Sequence, residues 1–155
     1  MGNILFILVL GSTWFMTGVI WFVQVVHYPL FARVGADVFT TYESLHTMRT
    51  GWVVAPVMLL ELGSTCLLLI ERPASLSLSA VTFLVVCTLG VWASTFFLQV
   101  PLHGKLIEGG NPEVIQRLVS TNWIRTLLWT AKGLFCLWLL YGLLPNDGLE
   151  TVSIH

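Results

Sequence analysis

Four long apolar runs, at residues 4–26, 52–70, 76–100 and 123–144, alternate with short polar stretches along the chain. Each run reaches the roughly 20 residues that a helix needs to cross a hydrocarbon core. None alternates between apolar and polar positions, which argues against barrel strands. Lipid cannot satisfy exposed backbone groups, so helix is the form expected of all four. The pattern predicts an all-α fold: an integral membrane four-helix bundle over residues 1–145, followed by a polar tail at 146–155 that opens with Asn146-Asp147-Gly148. The first run has no basic segment before it and ends in His27-Tyr-Pro rather than at a small-residue cleavage site, so it reads as a mature helix.

The polar residues inside the runs fall at helical spacing. Thr13, Thr17, Gln24 and His27 share a broad face of the first helix, and Thr88, Thr95, Gln99 and His103 share one of the third. The fourth carries Asn122, Arg125, Trp129, Lys132 and Cys136 at steps of three and four, and the second offers Glu61, Ser64 and Thr65. A bundle interior is where such residues cost least. Glu61 and Lys132 each sit about ten residues into their helices, hence about 15 Å deep at 1.5 Å per residue. A lone charge at that depth costs at least ~2.5 kcal/mol, so an ion pair or a shared polar cavity is expected. Such a pair serves either as an interhelical tie or as part of a proton path.

Two phrases recur, Gln24-Val-Val-His27-Tyr-Pro and Gln99-Val-Pro-Leu-His103, each followed by an arginine-threonine pair, Arg49-Thr50 and Arg125-Thr126. A shift of 75 or 76 positions aligns them and brings His46 onto Asn122. The chain thus divides into two helical hairpins, about 4–71 and 76–145, either true repeats or convergent apolar hairpins. Repeats of even span number share one topology, and sites tend to lie between them. Between the runs, Asp37 reads as a helix N-cap and Thr40 with Glu43 as a capping box. Asn111-Pro112-Glu113 places a cap, a first-turn proline and a favourable acid in order, so a helix from Pro112 can run unbroken into the fourth span. The stretch 71–75 is a tight outer hairpin.

Composition and charge add three constraints. Hydrophobic residues make up 56% of the chain and charged residues 10%, outside the range of water-soluble domains. Arg33, Arg49, Lys105, Arg117 and Arg125 lie on the side where the first and third runs end, and only Arg72 lies on the other. The positive-inside rule then makes the histidine-bearing side cytoplasmic and puts both termini outside. A net charge of −1 gives no reason to expect nucleic acid. Cys66, Cys87 and Cys136 all fall within runs and read as apolar packing residues rather than disulfides.

The candidate chemistry gathers at the cytoplasmic mouth, where His27, His46 and His103 share a level with Arg49, Asn122 and Arg125. Three readings follow. A transition metal (Fe, Cu or Zn) could be held by His27, His46 and His103, with or without Glu43, which forms a Glu-x-x-His pair with His46. Haem b could take His27 and His103 as axial ligands, with Arg49 and Arg125 on its propionates. Without any metal, the histidines could perform acid–base chemistry while the arginines hold an anionic intermediate, His46, Arg49, Asn122 and Arg125 forming the catalytic group. Against all three stands the reading that these residues only complete the headgroup boundary.

The phrases His27-Tyr-Pro-Leu-Phe, Val100-Pro-Leu-His103-Gly-Lys-Leu and Asn122-Trp-Ile-Arg125-Thr resemble the anthrone-oxygenase-like group of small four-span membrane proteins, over most of the chain. The resemblance implies a four-span fold and marks His103, Lys105, Trp123 and Arg125 as site candidates. In the fungal members the motif after the third helix reads Pro-x-Asn-x-x-Leu, and this chain carries His103 at the asparagine. The function expected is a membrane-embedded oxidoreductase or oxygenase with a histidine-rich metal or haem site. The alternative is a non-enzymatic membrane subunit or small transporter whose polar stripe conducts protons or packs a partner. Expected partners are the lipid bilayer and an apolar or aromatic small molecule, with further copies of the chain as an open alternative.

Overall fold

The computed structural model describes residues 1–143 as four long helices: α1 (Gly2–Arg33), α2 (Ala36–Leu67), α3 (Leu78–Ile107) and α4 (Pro112–Leu143). The end of the fourth apolar run at residue 144 and the polar tail at 146–155 lie outside the described residues. All four helices are long and apolar enough to cross a membrane. They run up and down in turn, α1 packing on α2 and α4, and α3 packing on α4 and α2. The α1 and α3 helices are therefore diagonal partners, as are α2 and α4.

This bundle turns its polar stripes inward. Thr13, Thr17, Gln24, Glu61, Thr65, Thr88, Gln99, Asn122, Arg125 and Lys132 are all buried, whereas Trp52, Phe97, Leu127 and Trp138 face outward. An apolar exterior around a polar interior is the arrangement a lipid solvent favours. The end of the bundle that holds the start of α1 is closed by an apolar cluster of Leu5, Phe6, Val9, Leu68, Val81 and Leu84. At mid-depth, one polar knot joins all four helices. Lys132 Nζ donates to Glu61 Oε1 at 2.8 Å, to Thr88 Oγ1 at 2.6 Å and to Thr65 Oγ1 at 3.3 Å. Thr13 Oγ1 donates to Glu61 Oε1 at 2.8 Å, and Trp129 Nε1 to Glu61 Oε2 at 3.0 Å. The ion pair expected from depth alone is present. All three ammonium protons and both carboxylate oxygens are occupied, the condition under which a buried pair recovers its desolvation cost.

Prolines shape α1 and α3. Each helix widens into a π-turn, Val23–His27 in α1 and Thr95–Gln99 in α3, immediately before Tyr28-Pro29 or Val100-Pro101. A proline removes one backbone donor and its ring crowds the carbonyl four residues back, Val25 or Phe97, so the helix widens there. These landmarks correct the alignment of the repeated phrases. Pro29 and Pro101 stand 72 positions apart, not 75 or 76, so His27 corresponds to Gln99 and Phe31 to His103. The second helices keep the longer offset, with Ala36 and Pro112 76 positions apart.

The helix starts divide likewise. Asn111 Oδ1 accepts from the backbone N–H of Glu113 at 2.8 Å, and α4 runs on from Pro112 through the membrane-length segment, as its sequence predicts. The cap of α2 is instead Gly35, with no side-chain bond, and Asp37 lies in the first turn, where its charge suits the helix dipole. Thr40 and Glu43 form no capping box, because the helix begins at Ala36 and both lie within it.

Candidate active site

Above the knot, a second polar cluster occupies the mouth of the bundle. Glu43, two turns into α2, is fully buried and meets His103 of α3, Oε1 to Nδ1 at 2.5 Å. His103 Nε2 lies 2.9 Å from the Tyr28 hydroxyl of α1. Arg125 of α4 donates through Nη2 to the same hydroxyl oxygen at 3.3 Å and to Gln99 Oε1 at 3.2 Å, and through Nε to Asn122 Oδ1 at 2.9 Å. Asn122 Nδ2 donates to Gln24 Oε1 at 2.8 Å, which ties α4 back to α1.

A guanidinium has no acceptor, so the Tyr28 oxygen accepts from Arg125, and with the Tyr28 proton turned to His103 Nε2 every member of the chain is satisfied. In that arrangement His103 carries its ring proton on Nδ1 and donates it to the Glu43 carboxylate. The sequence carboxylate, imidazole, hydroxyl follows the logic of a catalytic triad, with a phenol in the place of serine and an arginine on its oxygen. Glu43 Oε2 is buried with no partner among the described residues, so the carboxyl retains accepting capacity.

His46 extends the cluster on α2. Its Nδ1 is 2.8 Å from His27 Nε2 and 3.1 Å from Thr50 Oγ1, and its ring packs 5.4 Å from that of His103. Phe31 lies against His27, His46 and His103 and shields them at the mouth. Between α2 and α3 opens a cavity of about 360 Å³, into which Tyr28, His46, Thr50, Gln99, His103 and Arg125 present side chains. Its remaining wall combines Val54, Val100 and Ile107 with Gly51, Gly104, Thr47 and Thr95. A few convergent polar groups in an apolar cavity of this size describe a small-molecule site.

The three histidines predicted to converge do so, and Asn122 and Arg125 join them through Gln24, Gln99 and Tyr28. Arg49 does not. It is exposed and lines a separate cavity between α1 and α2, although it stands at the position that the buried Arg125 holds in the second hairpin. Of the residues marked by resemblance, His103 and Arg125 are in the site. Lys105 is exposed, and Trp123 stands edge-on to Trp21 at 5.6 Å on the α1–α4 face. Tyr28 is the residue that sequence reasoning missed, since an aromatic at a span end also reads as a membrane-interface anchor.

The donors do not fit a metal as arranged. A mononuclear site needs ring nitrogens aimed at one point, whereas His27 and His46 aim at each other and His103 engages Glu43 and Tyr28. Among the described residues no three His, Cys, Asp or Glu side chains are grouped to hold an ion. Haem fits no better: His46 packs against both proposed axial ligands, at 4.6 Å from His27 and 5.4 Å from His103, leaving no slot for a porphyrin.

Fold and site together define the class, an all-α bundle of four membrane-length helices with a carboxyl–imidazole–phenol chain at one mouth. Comparison of the chain with protein-family models, curated proteins and solved structures returns no match.

Proposed function

We propose that the protein is a membrane-embedded enzyme that removes a proton from an apolar, enolisable or phenolic molecule in the α2–α3 cavity, as the opening step of its oxidation. The observation that carries this reading is the Glu43–His103–Tyr28 chain with Arg125 on the phenol oxygen. In this reading the substrate proton passes to the Tyr28 oxygen while the Tyr28 proton passes to His103 Nε2. The Glu43 carboxylate then faces an imidazolium. Arg125, beside the Tyr28 oxygen across which the protons pass, stabilises the negative charge left on the substrate oxygen, in a buried site where such stabilisation is strong.

The resemblance to the anthrone-oxygenase-like group supports dioxygen as the oxidant. The substrate carbanion adds dioxygen and is protonated to a hydroperoxide. Loss of water then leaves one oxygen atom as a new carbonyl and carries off the other with two hydrogens. The distribution of basic residues supports a cytoplasm-facing mouth, with both termini on the other side of the membrane.

Purified protein in detergent, given anthrone under air, tests this through oxygen uptake and quinone absorbance. Turnover is expected, and Tyr28→Phe or Arg125→Gln should lower kcat/KM by about 10²–10³-fold, the scale for a lost acid–base group or oxyanion donor. Absence of turnover, or variants as active as the parent chain, would overturn the proposal.

A further inference from the structure

His46 and Thr50 line cavities on both sides of α2. The cavity between α1 and α2, about 470 Å³ in volume, is not the one into which Tyr28 and Arg125 open. Its polarity is segregated along the helices. Tyr42, His46 and Arg49 follow one another up one stripe of α2 at steps of four and three, with His27 opposite on α1. Farther from the mouth the walls are Val53 and Val54 of α2 and Val19 and Phe22 of α1. A groove with a cationic end near the bilayer boundary and an apolar end toward its centre has the polarity of a membrane amphiphile.

Charge indicates what the polar end lacks. The described residues form two ion pairs, Glu43 with His103 and Glu61 with Lys132, and Arg49 takes part in neither. The carboxyl closest in sequence, Glu43, is committed to His103 on the far side of α2. An exposed guanidinium beside apolar walls, without a carboxylate partner among the described residues, suits a planar anion, which it can hold with two parallel hydrogen bonds.

We propose that this cavity binds a single-chain alkyl carboxylate, its head on Arg49 and its chain between α1 and α2. The volume is that of a site for one small ligand and favours a single chain over a two-chain phospholipid.

The test uses the full chain in detergent with dansylaminoundecanoate as fluorescent probe, and laurate, methyl laurate and phosphatidylglycerol as competitors. One probe per chain is expected, displaced by laurate and not by its methyl ester. Arg49→Gln should weaken binding tenfold or more, whereas Arg117→Gln, which removes an exposed charge elsewhere, should leave it unchanged. Val53→Trp fills the apolar end while keeping Arg49, and should abolish binding with thermal stability retained. Equal binding by Arg49→Gln or Val53→Trp, equal displacement by the methyl ester, or displacement by phosphatidylglycerol and not by laurate would each overturn the proposal. The last of these would assign the head to a lipid phosphate.

Discussion

Lys132→Met is expected to destabilise the bundle by about 3–5 kcal/mol, the cost of leaving one member of a buried ion pair without its partner. Methionine matches the length of the lysine stem, so the loss is electrostatic more than steric. It leaves the Glu61 carboxylate facing only Thr13 and Trp129 at the depth where hydration is poorest. Glu61→Gln in the same chain should recover most of that loss, because the amide oxygen still accepts from Trp129 and no net charge remains. Thermal unfolding in one detergent, across the two single variants and the double, gives the coupling directly. If the double variant is as unstable as Lys132→Met, the loss comes from the Lys132 bonds to Thr65 and Thr88 and not from an unbalanced carboxylate.

Glu43→Gln should have the larger effect on chemistry and a small one on the fold. The amide can still sit against His103 Nδ1, but it cannot balance an imidazolium. It can also turn its NH₂ toward the ring and select the wrong tautomer. The corresponding carboxylate-to-amide change in serine protease triads lowers kcat by about 10⁴-fold, and a loss on the order of 10³–10⁴-fold is expected here. Steady-state oxidation of anthrone checks it, with thermal unfolding alongside. A variant within a few-fold of the parent activity would reduce Glu43 to a structural residue that positions α3.

Much of this architecture is legible in the sequence because membrane spanning is a problem of length and polarity. Four runs of sufficient length predict four helices, and helical spacing sorts Thr13, Glu61, Thr88 and Lys132 to the inside before any contact is seen. Depth alone pairs Glu61 with Lys132. The mouth is less legible. Glu43 follows Thr40 at the spacing of a capping box, and only the packing of α3 against α2 shows that it turns to His103. Tyr28 at a span end looks like any interface aromatic until Arg125 is seen on its oxygen. The prolines that create the π-turns also shift the register, so matching letters at Gln24 and Gln99 do not mean matching positions. Arg49 and Arg125 share a motif yet differ in burial, because α4 packs against both α1 and α3 at that level while the same level of α2 borders an open cavity. Motif spacing carries no information about that difference.

Proton abstraction by the Tyr28–His103 pair is most directly measured as deuterium uptake into the methylene group of anthrone, under nitrogen in deuterated buffer, followed by mass spectrometry. Excluding oxygen separates the first step from the oxidation that follows it. The parent chain is predicted to accelerate exchange well above the detergent blank, and Tyr28→Phe and His103→Asn to return it to the blank rate. Exchange at the blank rate with the parent chain, or undiminished exchange with Tyr28→Phe, would contradict the assignment of this mouth as an acid–base site.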